Sequence, residues 1–201
     1  MDPAGPAAGA INTIWWVMLA GATAIFLFVT ALLLLAFRPR ASHDASVRRW
    51  IVGGGLIFPG VVLTALLTFA LVVGERLLPR GDVPAVQVAA ESSQYQWSFT
   101  QPAAGAGSIR TKGVLHIPAG RPVDVTLTSR DVIHAFWVPR LAGKLDAIPG
   151  HRNVLRIEAD APGVYQGVCA EYCGVGHAGH VFRVVAHDPA GWARFQREGG
   201  A

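Results

Sequence analysis

Nine consecutive residues, Cys169-Ala170-Glu171-Tyr172-Cys173-Gly174-Val175-Gly176-His177, hold two thiols and an imidazole. Soft sulfur and imidazole nitrogen are the donors that copper and zinc prefer. Gly174 and Gly176 lack a Cβ and let the backbone fold closely around an ion. Two cysteines four residues apart could instead close a disulfide if they face an oxidising compartment. A further metal donor must come from elsewhere in the chain. His134 is the best placed, within Asp131-Val132-Ile133-His134-Ala135-Phe136-Trp137-Val138-Pro139. It lies at an expected strand start, among apolar residues that would keep water out.

A protein of 201 residues has room for one ordinary domain and a small addition. Mean hydropathy is positive, +0.39. The apolar excess is localised. Residues 3–37 contain no Asp, Glu, Lys or Arg, and neither do residues 50–74. Each stretch supplies the ~20 apolar residues that cross a ~30 Å hydrocarbon core. The first is longer than a signal-peptide core and has no basic residue before it, so it reads as a span. Helices are expected over about 14–37 and 50–74, with residues 1–12 irregular. Pro59 lies inside the second helix and is expected to kink it. Between them, Arg38, Arg40, Arg48 and Arg49 face one acid, Asp44. That bias puts the 38–49 loop on the cytoplasmic side and both termini outside. From residue 80 onward, twelve Lys and Arg stand against ten Asp and Glu with no basic run, which argues against nucleic-acid binding.

Beyond about residue 83 the pattern changes to short β-rich runs between Gly, Pro and Asp turns. Strands are expected at 86–89, 94–99, 113–117, 123–129, 135–139, 153–158, 163–168 and 181–186. Such spacing predicts an antiparallel sandwich or Greek-key barrel. Asp188 as N-cap, Pro189 in the first turn and Gly199 past the end predict a short terminal helix. The expected division is a hairpin over 1–80, a β-domain over 81–187 and a helix with tail over 188–201.

With these pieces in place, the chain resembles cytochrome c oxidase subunit II. That family combines an N-terminal helix hairpin with a cupredoxin-like β-barrel. It carries a His in an Asp-Val-x-His-x-Phe-x-Val-Pro-like strand, then Cys-x-Glu-x-Cys-x-x-x-His-x-x-Met. The likeness runs from about residue 3 to 187. It implies a binuclear copper centre (CuA) bridged by Cys169 and Cys173, with His134 and His177 as terminal ligands. It gives Glu171 a weak carbonyl bond to copper, and its carboxylate a role at a Mg²⁺ near subunit I. It also implies electron transfer from cytochrome c to haem in subunit I, where oxygen is reduced. The setting would be a bacterial inner membrane, with the copper domain on the periplasmic side and other oxidase subunits as neighbours.

Three positions depart from the family pattern. His180 stands where the family has Met; if it binds copper, it should lower the reduction potential. Tyr95, in Gln94-Tyr95-Gln96-Trp97-Ser98-Phe99, stands where the family has the Trp nearest the docked donor. Electrons would then arrive through Tyr95 or Trp97, and Trp97 could equally be core. The second helix begins Ser46-Val47-Arg48-Arg49-Trp50, without the Glu that serves a proton path in many members, which leaves Asp44 as the nearest carboxylate. The stretch 141–150 also matches and is expected to form a loop beside the copper. Within it, Asp146 either steers a basic cytochrome or caps a turn. The rival readings are a copper-free quinol oxidase subunit, a membrane-tethered copper-binding module, and a metal-free domain with a Cys169–Cys173 disulfide. The intact thiol and imidazole set speaks against the first.

Overall fold

A computed structural model describes residues 2–38, 46–75 and 84–199. The chain divides into two units, one over Thr13–Arg76 and one that joins Met1–Asn12 to Leu77–Ala201. Residues 39–45, including Asp44, and residues 76–83 lie outside the described residues.

Helix α1 runs Pro6–Ala36. A π-helical stretch follows at Arg49–Ile57 and passes into α2, Phe58–Glu75. Both spans are long and apolar enough to cross a membrane, with mean hydropathies of 2.5 and 2.6 and no buried residue in their apolar windows. Helices apolar on every face fit a lipid surrounding. Where a kink was expected at Pro59, the helix widens just before it. Proline offers no N–H to the carbonyl four residues back, and its ring crowds that carbonyl. The preceding turn relaxes to five-residue spacing, with Phe58 N–H donating to the Gly53 carbonyl.

The expectation of an irregular terminus holds for residues 2–5 and is corrected over residues 6–12, which are helical. Pro6 opens α1, where its fixed φ and missing N–H cost nothing. The segment before it is tied to the β-domain. Ala4 N–H donates to the Arg140 carbonyl at 2.8 Å, and Asp160 N–H to the Ala4 carbonyl at 2.9 Å. Arg140 grips the Asp2 carboxylate at 2.6 Å. A Cβ at Gly5 would collide with the Glu158 carbonyl. The small residues that suggested irregular structure are the ones that allow this close approach.

Among the described residues the β-domain has ten strands: β1 Val86–Ser93, β2 Gln96–Pro102, β3 Ser108–Lys112, β4 Val114–Pro118, β5 Val123–Ser129, β6 His134–Trp137, β7 Leu145–Ala147, β8 Asn153–Ile157, β9 Gly163–Cys169 and β10 Val181–His187. They form two sheets, ordered β3-β2-β1-β5-β8 and β4-β10-β9-β6-β7. The apolar faces of both sheets supply one core, with Phe99, Leu115, Leu127, Phe136 and Phe182 essentially buried. Two pairings, β1 with β5 and β4 with β10, are parallel, so the sheets are mixed rather than wholly antiparallel. Side-chain alternation has period two in either direction and cannot reveal this. Strand β1 extends four residues past its expected end, and Gln94–Tyr95 become the turn into β2. Strands β3 and β7 were not expected. The first is an edge strand with only Ile109 buried, and the second is three residues long, inside the stretch expected as a loop.

Helix α3, Pro189–Glu198, is capped as expected: Asp188 Oδ1 accepts from Gly191 N–H at 2.6 Å, and Gly199 adopts φ 72°. It does not stand apart, since Trp192 and Phe195 pack with Ile109. Phe195 stacks on His116 with ring centroids 4.3 Å apart, and His116 Nδ1 meets His187 Nε2 at 2.9 Å. Burial, then the neighbouring His187 charge, lowers His116 to about 4. Burial also lowers His187, against an opposing pull from Asp188. The folded state therefore binds fewer protons than the unfolded chain between about pH 4 and 6.5. This stabilisation is complete above pH 6.5 and is lost as pH falls through 4. A shift of this size is at most ~3 kcal/mol, and partial solvent access reduces it to about 1–2 kcal/mol. Melting curves from pH 7 to 4 should show a shallower decline for His116→Gln than for the parent. Parallel declines would rule the pair out as a source of acid sensitivity.

Candidate metal centre

The site forms where β6 begins and where β9 hands over to β10. Both strands lie in the second sheet, with Phe136 opposite Cys169. Backbone bonds fix the intervening loop. Cys169 N–H donates to the His180 carbonyl at 2.9 Å, and Ala170 N–H to the Ala135 carbonyl at 2.9 Å. His177 opens a single 3-10 turn, His177–Gly179, with its N–H on the Gly174 carbonyl at 3.0 Å. The turn brings His180 back beneath the loop.

One ligand atom from each of His134, Cys169, Cys173 and His180 lies within 4.8 Å of the other three, and all four residues are buried. The two sulfurs are 3.9 Å apart, far beyond the ~2.05 Å of a disulfide bond. His134 Nδ1 is 3.8 Å from Cys169 Sγ. Cys173 Sγ has two imidazole neighbours, His177 Nδ1 and His180 Nδ1, each at 3.6 Å. The Glu171 carbonyl is 3.3 Å from Cys169 Sγ. His177 thus flanks the cluster from the Cys173 side, and His134 from the Cys169 side.

The protonation states suit metal binding. Burial, then the charges of His134 and His177, lowers His180 to about 4, so it is neutral with a free lone pair. Its Nε2 is buried without a hydrogen-bond partner. Burial, then Cys169, raises the Cys173 thiol to about 11. Protein groups alone leave this cluster unsatisfied, and a metal that displaces the thiol protons would satisfy it. Soft sulfur with imidazole in a buried pocket fits copper.

Asp131 lies within the quoted strand motif, where no role was expected of it. Its Oδ1 accepts from His134 Nε2 at 2.8 Å and from Val132 N–H at 2.7 Å. Its Oδ2 accepts from Gln94 N–H at 2.8 Å. Burial pushes this carboxyl up, but the bonds from His134, Gln94 and Val132 outweigh it and hold Asp131 at about 2. The Asp-x-x-His spacing was the available signal, since a histidine ligand commonly donates its outer N–H to a carboxylate.

The remaining expected residues separate. Tyr95 is 42% exposed, and its ring lies 6.1 Å from that of His180. Trp97 is fully buried in the core and stacks on His180 at 5.7 Å, so it offers nothing to a docking partner. Asp146 sits on β7, partly exposed, with Lys144 Nζ at 4.0 Å. The same Lys144 is 3.3 Å from the Glu171 carboxylate.

Residues 101–186 match the family model for the cytochrome c oxidase subunit II periplasmic domain. A cytochrome c oxidase subunit 2 from Thermostichus vulcanus is 41% identical over 122 residues, 61% of this chain and 36% of that protein. One from Alkalihalophilus pseudofirmus is 30% identical over 200 residues, 92% of this chain and 57% of the relative. The chain therefore spans less than two thirds of either relative's length. The crystal structure of the periplasmic domain of subunit II of cytochrome oxidase from Bradyrhizobium japonicum superposes with a TM-score of 0.52 at 26% identity. That match covers 61% of this chain and 99% of the crystallised one. Residues 101–186 of this chain therefore carry a periplasmic domain of the cytochrome c oxidase subunit II family.

Proposed function

We propose that this chain is the electron-accepting subunit of a respiratory haem-copper oxidase. It would take electrons from a cytochrome c and pass them to haem in subunit I, where oxygen is reduced to water. The observation that carries the reading is the buried cluster of His134, Cys169, Cys173 and His180, with His177 3.6 Å from the Cys173 sulfur. One metal ion suits the four clustered donors; the flanking His177 and the Glu171 carbonyl supply a place for a second. Cys169 and Cys173 would bridge the two ions. When bound, a copper pair supplies a one-electron site whose charge change is shared over two metals. The chain's own part is to hold the donors still. The bonds from Cys169 to His180 and from Ala170 to Ala135 fix the loop, and the buried apolar walls exclude water.

Tyr95 and Asp146, both partly exposed, would meet the docking cytochrome. Glu171 would also reach a Mg²⁺ at the subunit I interface, where that ion would have to displace the Lys144 ammonium from its carboxylate. The two apolar spans support the reading of a two-pass protein of a bacterial inner membrane, with the β-domain in the periplasm.

The EPR spectrum of the purified oxidised protein tests the centre. The expected result is copper hyperfine structure shared over two nuclei. A pattern localised on one copper would overturn the binuclear assignment. Purification without a haem-bearing large subunit would instead favour a membrane-tethered copper-binding module.

A further inference from the structure

The ligands of the centre lie on β6, on β9 and on the loop into β10, all carried by the second sheet, yet hydrogen bonds to their segments come from the first. The β1–β2 turn, Gln94–Tyr95, crosses the end of the sandwich and touches both ligand-bearing segments. Gln94 N–H donates to Asp131 Oδ2 at 2.8 Å, and Asp131 Oδ1 in turn accepts from His134 Nε2 at 2.8 Å. The Gln94 side chain points the other way, and its Nε2 donates to the Cys173 carbonyl at 2.5 Å. Tyr95 fills the space beside the loop. A Cβ at Gly174 would lie 2.5 Å from Tyr95 Oη and 2.8 Å from Gln94 Nε2, and a Cβ at Gly176 would lie 2.6 Å from the Tyr95 ring.

We infer that Gln94 and Asp131 form a positioning brace that holds His134 in register with the Cys173 side of the centre. This rests on the metal-site reading above. The brace works through acceptor and donor complementarity. Asp131 receives only donors: an imidazole N–H on Oδ1, and a backbone N–H on each oxygen. A carboxylate accepts all of them, and its hold on Nε2–H commits the His134 lone pair to Nδ1, which faces Cys169 Sγ. The Cys173 carbonyl, on the other segment, is fixed by the Gln94 amide. One residue therefore ties the two ligand-bearing segments together from outside, in addition to the β6–β9 pairing and the Ala170–Ala135 bond. Gly174 and Gly176 are required because any side chain there would push the turn away from the loop. The backbone half of the brace survives substitution of Gln94, whereas the side-chain half does not.

Three variants of the full chain in detergent test this. Gln94→Met keeps the length and loses the donor. Gln94→Glu keeps the length and turns an acceptor toward the Cys173 carbonyl. Asp131→Asn places an amide NH2 against a donor whichever way it flips. The readouts are the rate of copper loss to a chelator, the copper hyperfine pattern and the melting temperature. About tenfold faster copper loss is expected in each variant, the usual scale for an outer partner of a metal ligand. The hyperfine pattern should become unequal between nuclei, while Gln94→Met melts within a few degrees of the parent. Parent-like copper loss and hyperfine structure in Gln94→Met and Asp131→Asn would overturn the brace. If Gln94→Met melts far lower, Asp131→Asn alone decides by the same two readouts. A parent without two-nucleus structure would overturn the binuclear reading instead, and chelator loss would still test the brace on whatever copper the parent holds.

Discussion

Serine at Cys173 is expected to abolish the two-copper spectrum and reduce bound copper from two ions toward one. Cys173 is the hub of the site: its sulfur stands 3.9 Å from Cys169 Sγ and 3.6 Å from a nitrogen of both His177 and His180. Cys169 has a different neighbourhood, with His134 at 3.8 Å and the Glu171 carbonyl at 3.3 Å. Removing either thiol would remove a bridge of the proposed copper pair, but removing Cys173 would also separate His177 from the cluster. A hydroxyl is a hard donor that stays protonated at neutral pH, so it cannot replace a bridging thiolate. The fold should survive, because serine is no larger and the site lies at one end of the sandwich. Burying its hydroxyl costs about 1–3 kcal/mol if it finds no partner. Electron uptake from a reduced cytochrome should fall at least about 100-fold, the upper end of what loss of even an outer-shell partner costs. Metal analysis with EPR on the purified variant checks this. Two bound coppers with shared hyperfine structure in Cys173→Ser would remove the bridging role.

How much of this was legible in the chain depended on sequence distance. The Cys169–His177 loop could be read because its donors are close in sequence and its glycines fall between them. His134 was legible through its strand motif. His180 stood out because it occupies a position where the resemblance expects another donor. The contacts that organise these donors were hidden. Gln94 meets Asp131 across 37 residues and Cys173 across 79. Such contacts depend on which strands pair and in which register, and no local pattern carries that information. Trp97 shows the same limit. Its aromatic company suggested either a surface or a core role, and only packing placed it beneath His180. The short strands β3 and β7 lacked enough alternation to stand out. At the N-terminus, Ala4 and Gly5 read only as irregular because composition reports propensity. What orders them is the tertiary contact with Arg140, Glu158 and Asp160.

Methionine at position 180 is expected to raise the reduction potential of the centre. His180 is 1% exposed, and its Nδ1 lies 3.6 Å from Cys173 Sγ, within the buried cluster that also holds His134. The imidazole is held by Trp97 stacked on one side and by Tyr95 edge-on at another, so it is not free to turn away. It is neutral at ordinary pH, because burial and the neighbouring imidazoles keep its pKa near 4. A neutral imidazole is a stronger and harder donor than a thioether and stabilises the oxidised ion more than the reduced one. Methionine is unbranched and adaptable enough to occupy the same volume. Each tenfold loss of preference for the oxidised state is ~59 mV in a one-electron couple, so a shift on the order of 100 mV upward is expected. Redox titration of parent and His180→Met under the same conditions measures it. Equal potentials would place His180 outside the coordination sphere and leave it as a packing residue under Trp97. An upward shift would mean that the parent's centre is poised low, which favours onward transfer to haem over uptake from the cytochrome. The variant should then take electrons from a given donor more completely and release them to subunit I more slowly.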